Sequence, residues 1–380
     1  MTVRETGLGI ALAAVLVLPA GRAWAQEGPP LVIQHADQFE RRIEQDTLFY
    51  DLTGNVRAHR GPLYMRSRRA VINRTSGVAD FTGDVHFWDA TTELYADHVV
   101  YTEATDVAVA TGDVQVIDRE SGSNVKADTV RYDRRLELVT AWPRPHAVLI
   151  PRDTTDQVPF DLYADLMRFV SDSTRQEFVA VDRVLIERPD LTAIGDSLYY
   201  DERNGRVALR DGPQVETREV YLTAGTIDLL LEENEIESLV ALDEARAVQK
   251  GDSIPPAVPP AFENVAESSF LEGDSLHIDF LDEAIERLLA HGRARSLNYQ
   301  RESDAGAIET WSVNYLLGHT LTLNFRGDTL EVVRASEGAR GIYRQEQVRI
   351  GGPVERESEP IPLPRWDEPV ALHDRRRSRR

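Results

Sequence analysis

Cysteine is missing altogether from the 380 residues, which excludes disulfides, thiolate metal sites, a cysteine nucleophile and a lipid-modified cysteine anchor. Long apolar runs are missing beyond the first 25 residues, so no later segment reaches the ~20 apolar residues that a membrane-crossing helix takes. Positive charge is short as well, with 43 Lys and Arg against 64 Asp and Glu and a formal net charge of −21. A field of that sign repels polyanions and speaks against nucleic acid as a partner. It does not exclude amphiphiles whose anionic heads stay in water while their tails are buried. Helical periodicity is nearly absent between Leu31 and Arg349. Two-residue alternation takes its place, as in Val107-Ala108-Val109, Val114-Gln115-Val116 and Thr320 to Phe325. Such runs, broken by Gly, Asp, Asn and Ser, predict many half-buried strands and an all-β fold. Two stretches tempt a helix reading, Ile227 to Leu242 and Leu281 to Leu289. Both align with neighbouring repeats and are read as strands.

What is present is a phrase: a small residue, usually Asp, a spacer, an apolar residue, a spacer, then an aromatic or aliphatic. It stands at Ala96 to Tyr101, Ala127 to Tyr132, Ala164 to Phe169, Gly195 to Tyr200 and Gly273 to Ile278, with degenerate copies starting at Ala36, Ser67, Ala224 and Gly318. Successive starts are 31, 29, 31, 37, 31, 29, 49 and 45 residues apart. A period in this range marks a repetitive architecture whose units cannot bury their apolar faces alone. A second marker, Gly-x-Val, falls at Gly54, Gly83 and Gly112, each 29 residues after the last. Each unit is thus two strands joined by a polar turn. In the phrase strand at Ala127, Val125 and Ala127 share one parity while Val130 and Tyr132 share the other. One face cannot hold both sets unless the register shifts, so a bulge is expected at the Ala-Asp step, with the Asp as a local backbone acceptor.

Around these repeats, residues 1–25 read as a secretory signal peptide, with an apolar run from Gly7 to Ala20 and a cleavage site after Ala25. Residues 31–250 form the first block of units. A Pro-rich insertion, 251–267, separates them from further units over 268–350, and the tail, 351–380, ends in a run of arginines and is expected to be disordered.

The phased combination of Gly-x-Val with small-Asp-x-Val-x-Tyr resembles the OstA-like family of periplasmic lipopolysaccharide-transport proteins. The match is sharpest from Ala36 to Tyr132, through Leu52-Thr53-Gly54-Asn55-Val56, Phe81 to Val85 and Thr111 to Val114. The resemblance implies an elongated, curled β-jellyroll of about nine two-strand units, two antiparallel sheets packed as a V. It further implies a periplasmic, envelope-associated carrier with no enzymatic activity and no cofactor, whose apolar groove shelters the acyl chains of lipopolysaccharide or a related glycolipid. Membrane components at either end, or further copies, would dock on edge strands near 31–40 and 340–350.

The residues support that reading independently, because each methylene carried through water costs about 0.8 kcal/mol and demands shelter. The inward candidates are Met65, Leu94, Val99, Tyr101, Val125, Val130, Tyr132, Met167, Phe169, Leu198 and Tyr200, with Val56, Val85 and Val114 on the second strand type. The competing structural reading is an adhesive β-solenoid on the cell surface, which requires parallel coils. Little points to an enzyme or a metal site. Nine histidines show no ligand spacing, although His86 and His98 stand where a hairpin would bring them face to face. Asp161, Asp165, Asp182 and Asp196 recur at equivalent places in the units, where a turn or bulge needs them, whereas a catalytic pair is unique. Arg326-Gly327-Asp328 reads as a turn.

Overall fold

A computed structural model describes residues 29–150, 159–171, 176–189, 191–201, 203–217, 220–232, 235–250, 269–281, 284–303, 308–326 and 329–349. The expected signal peptide, the Pro-rich insertion, the basic tail and the 327–328 turn lie outside them. The described residues hold strands and turns and no helix. In chain order the strands are β1 (Val32–His35), β2 (Gln38–Glu44), β3 (Thr47–Arg60), β4 (Leu63–Asn73), β5 (Val78–Trp88), β6 (Thr92–Thr102), β7 (Val107–Asp118) and β8 (Asn124–Asp133). There follow β9 (Leu138–Trp142), β10 (His146–Leu149), β11 (Phe160–Tyr163), β12 (Leu166–Ser171), β13 (Gln176–Arg188), β14 (Leu191–Asp201), β15 (Arg206–Arg210) and β16 (Gln214–Thr217). The last are β17 (Val220–Thr223), β18 (Thr226–Glu232), β19 (Glu235–Gln249), β20 (Phe270–Leu281), β21 (Ala284–Ser303), β22 (Ile308–Arg326), β23 (Thr329–Ser336) and β24 (Arg340–Arg349). Ile227 to Leu242 and Leu281 to Leu289 are strand, as read from the repeats.

Long strands change partners at mid-length, and this creates two leaves. The first part of β8 pairs with β10 and its second part with β9; β13 divides likewise between β12 and β11, and β22 between β24 and β23. Leaf A holds β2, β9, β12, β15, β18 and β23 with one half of each long strand. Leaf B holds β1, β10, β11, β16, β17 and β24 with the other half. Every pairing is antiparallel, which a parallel solenoid cannot supply. The ladder also passes the 251–267 insertion unbroken, since β19 pairs with β20 on both sides of the crease, from Ser238↔Asp279 to Val248↔Phe270.

All nine phrases lie on the crease between the leaves. Opposite Asp128, the single unpaired residue between Ala127 and Thr129, the facing strand has two, Gly112 and Asp113. The expected bulge is therefore present, but its surplus residue sits on the Gly-x-Val strand. Those facing residues adopt left-handed backbone in most units: Gly112 and Asp113 at φ 78° and 43°, and further along Asp182-Arg183, Asp243-Glu244 and Gly292-Arg293. Gly112 has a double reason to be glycine, because a Cβ there would sit 2.6 Å from Asp97 Oδ2.

At three phrases the Asp accepts from a side chain, not from backbone as expected. Asp37 takes the Asn55 amide at 3.0 Å, Asp165 takes Arg183 Nε at 3.0 Å and Asp274 takes Arg293 Nε at 2.8 Å. At the second unit the charges are exchanged, with Arg68 donating to Asp84 at 2.6 Å. The reason is geometric, since a left-handed pair turns its second side chain toward the residue opposite the bulge. These pairs are exposed and contribute little to stability.

With the parity switch in place, the strands keep an apolar set inward on both sides of the crease, except in the leaf B half of β21, where Ser296 stands between Leu271 and Leu316. The first row of leaf A reads Leu52, Ala70, Phe81, Val99, Ala110, Val130, Ala141, Met167, Ala180 and Leu198, each the register partner of the next. It continues through Leu209, Ile227, Ala241, Leu276, Ala290 and Leu321 to Ala335. Over most of its length a large residue on the phrase strand is followed by alanine on its partner. Such alternation fills the space between leaves without strain.

Candidate functional site

The candidate site is the facing surface of the two leaves. All fourteen inward residues named from the sequence lie on it. Val99, Val130, Met167 and Leu198 belong to the first row of leaf A, and Tyr101, Tyr132, Phe169 and Tyr200 to the next row toward its tip. Met65, Leu94 and Val125 form part of the middle row of leaf B, and Val56, Val85 and Val114 stand beside the crease. Eleven of them are at most 6% exposed and join one contiguous apolar cluster. Tyr132, Phe169 and Tyr200 are half-buried. Arg131, of opposite parity, is exposed.

Sequence reasoning missed several members of the same surface. Phe81 is fully buried and meets Phe87 edge-on across the crease, with ring centroids 5.1 Å apart at 90°. Ile227, Leu276 and Leu321 continue the leaf A row through the rear units and are fully buried. The signal was available: Phe81 stands two residues before a Gly-x-Val, and Ile227, Leu276 and Leu321 each stand three residues after a phrase start.

The outer face of leaf B carries a different feature. Tyr64, Trp88, His86 and Tyr95 stack in sequence, with centroids 5.6, 4.5 and 4.3 Å apart. His86 does not face His98; the two lie on opposite sides of the crease, and His98 pairs with Asp80 at 2.9 Å. Burial pushes the His86 imidazole below its ordinary pKa, with Arg66 and Arg119 adding to the shift and Glu93 opposing it. Its neutral form is therefore favoured in the folded chain, and the unfolded chain binds more protons as pH falls through about 6.5. Folding stability is fully present above that pH and declines below it. Urea midpoints measured between pH 7.5 and pH 5 are expected to fall less in His86→Phe, which keeps the stack without the ionisation, than in the parent chain. Parallel pH profiles for the two would remove His86 as the cause.

The carboxylates considered as catalytic have structural places. Asp161 takes His146 Nε2 at 2.7 Å, Asp165 takes Arg183, Asp182 has left-handed backbone on the crease, and Asp196 follows the Gly195 phrase start. At the two ends of the ladder, β1 and β2 pair only with β3, and β23 and β24 only with β22, among the described residues. Phe39 and Ile43 on β2 are exposed, as is Tyr343 on β24.

Comparison with known proteins bears on the most regular part of this arrangement. Residues 35–138 match the family model described as LptA/(LptD N-terminal domain) LPS transport protein. The resemblance read from the phased phrases is thus borne out over the segment where it is sharpest. Among solved structures, the crystal structure of LptH, the LptA homologous periplasmic component of the conserved lipopolysaccharide transport device from Pseudomonas aeruginosa, is 16% identical. That match covers 37% of this chain and 76% of that one, at a TM-score of 0.18. A search of the curated proteins finds no match.

Proposed function

We propose, from the LptA/LptD-type domain at residues 35–138, that this chain carries lipopolysaccharide or a related glycolipid across the periplasm with its acyl chains between the two leaves. The observation that supports this reading most is the continuity of the first leaf A row: its register partners remain apolar from Leu52 to Ala335 without interruption. A dry core needs only local closure, whereas a path for a tail needs apolar surface along its whole length. Sheltering each methylene is worth about 0.8 kcal/mol, so exchanging leaf-to-leaf contacts for leaf-to-lipid contacts is nearly neutral for the protein. It is favourable for the tail. In this reading the single-sided edges at β1 and β2, and at β23 and β24, pair with transport components of the inner and outer membranes or with a second copy.

Photocrosslinking side chains at Val99, Tyr132 and Met167, introduced singly in cells, are expected to capture lipid well above the level at outward Arg131. Equal capture at all four positions would sink the trough.

A further inference from the structure

Side chains reach across the mouth of the front units from one leaf to the other. Arg60 ends the inward series Val56, Ala58, Arg60 at the tip of leaf B and is only 4% exposed. Its Nε donates to the Pro29 carbonyl at 2.8 Å, and its Nη1 donates to the Tyr101 hydroxyl and to Asp106 Oδ1, the latter at 3.3 Å. Tyr101 and Asp106 belong to leaf A, and the Tyr101 hydroxyl donates to the same carboxylate oxygen at 2.5 Å. Asp106 also accepts from Arg134 Nη1 at 3.5 Å, and Arg134 Nη2 lies 3.8 Å from Asp89 at the tip of leaf B. The Tyr132 hydroxyl meets Thr92 beside it. Charges therefore run from leaf B to leaf A, along leaf A and back to leaf B.

An apolar residue would close this mouth as tightly without desolvating a guanidinium. What a polar closure adds is reversibility, since water replaces its hydrogen bonds when the leaves part, whereas a parted apolar seam gains nothing from water. The row supplies its own contrast, because Phe169, Leu229, Ile278 and Leu323 hold the place of Tyr101 in four later units and have no hydroxyl, whereas Tyr132 and Tyr200 keep one.

We propose that Arg60, Tyr101, Asp106, Arg134 and Asp89 form a gate, and that the interior between β3 and β8 admits an acyl chain from the side only when this clasp opens. The inference rests on the carrier reading above.

The test uses the full chain with a diazirine-bearing fatty acid, labelled over a time course and read by mass spectrometry of the peptides containing Val99 and Met167. Asp106→Asn is expected to speed labelling of the Val99 peptide on the order of tenfold, the scale of one lost charge-assisted hydrogen bond. The chain has no cysteine, so Arg60→Cys with Asp106→Cys can be bridged by a bis-methanethiosulfonate reagent, each thiol displacing a sulfinate to leave a disulfide that is later reducible. The bridged form is expected to lose Val99 labelling and regain it on reduction, with Met167 labelling unchanged throughout. Equal Val99 labelling rates in bridged, reduced and Asp106→Asn forms overturn the gate and leave the carrier reading standing. Absence of labelling at both peptides in every form overturns the carrier reading and the gate with it.

Discussion

Phe81→Ala lowers the free energy of unfolding by about 3–5 kcal/mol, the cost of removing a large buried aromatic whose site cannot collapse. The site cannot collapse for a topological reason. Phe81 lies between Ala70 and Val99 in the leaf A row, and both neighbours are fixed by backbone ladders on either side. Phe87, the ring it meets, is held on leaf B beyond the crease. Neither leaf can move inward locally without breaking register over several strands. The urea midpoint is expected to fall at unchanged slope, while Tyr343→Ala, at an edge position 65% exposed, stays within about 0.5 kcal/mol of the parent. A loss under about 1 kcal/mol for Phe81→Ala would mean that the leaves close over the void, and that the interior is loosely packed.

Arg60→Ala is expected to cost about 3 kcal/mol, because it leaves a carboxylate and a phenol at the mouth without the cation that satisfies them. The Tyr101 phenol is already held far above its ordinary pKa, first by burial and then by its bond to Asp106, with Arg60 pulling the other way. Asp106 is less enclosed, with 22% of its side chain exposed, so Asp106→Asn alone costs about 1 kcal/mol. The two changes touch one network. The double variant is therefore expected to lose less than the sum of the singles, and the difference measures the clasp itself. Strict additivity would show that Arg60 contributes by filling space between the leaves and not through its charge.

The sequence read alone goes far here because the repeat encodes the fold three times over. Parity switches at Ala96 to Val99 and Ala127 to Val130 locate the crease, and the Gly-x-Val spacing locates the strand facing it. The alternation between them assigns the inward face, which is why all fourteen named residues fall on it. Less legible were the creases formed by Asp182-Arg183 and Asp243-Glu244, since left-handed backbone at Asp, Arg or Glu leaves no compositional mark as glycine does. The partner of the phrase Asp was misassigned for the same reason, as the Asn or Arg that meets it is brought there by a backbone turn on another strand.

Local pattern thus determined which residues form strands, where each strand bends and which side chains face inward, because a two-residue period and a one-residue phase shift are properties of consecutive positions. Only the tertiary structure decided which strand continues which leaf past β8, that the ladder runs on from β19 to β20, and that Arg60 meets Asp106. Those outcomes depend on pairing between segments 20 to 46 residues apart, where closure entropy varies slowly with separation and register is chosen by the packing of facing rows rather than by any neighbouring residue.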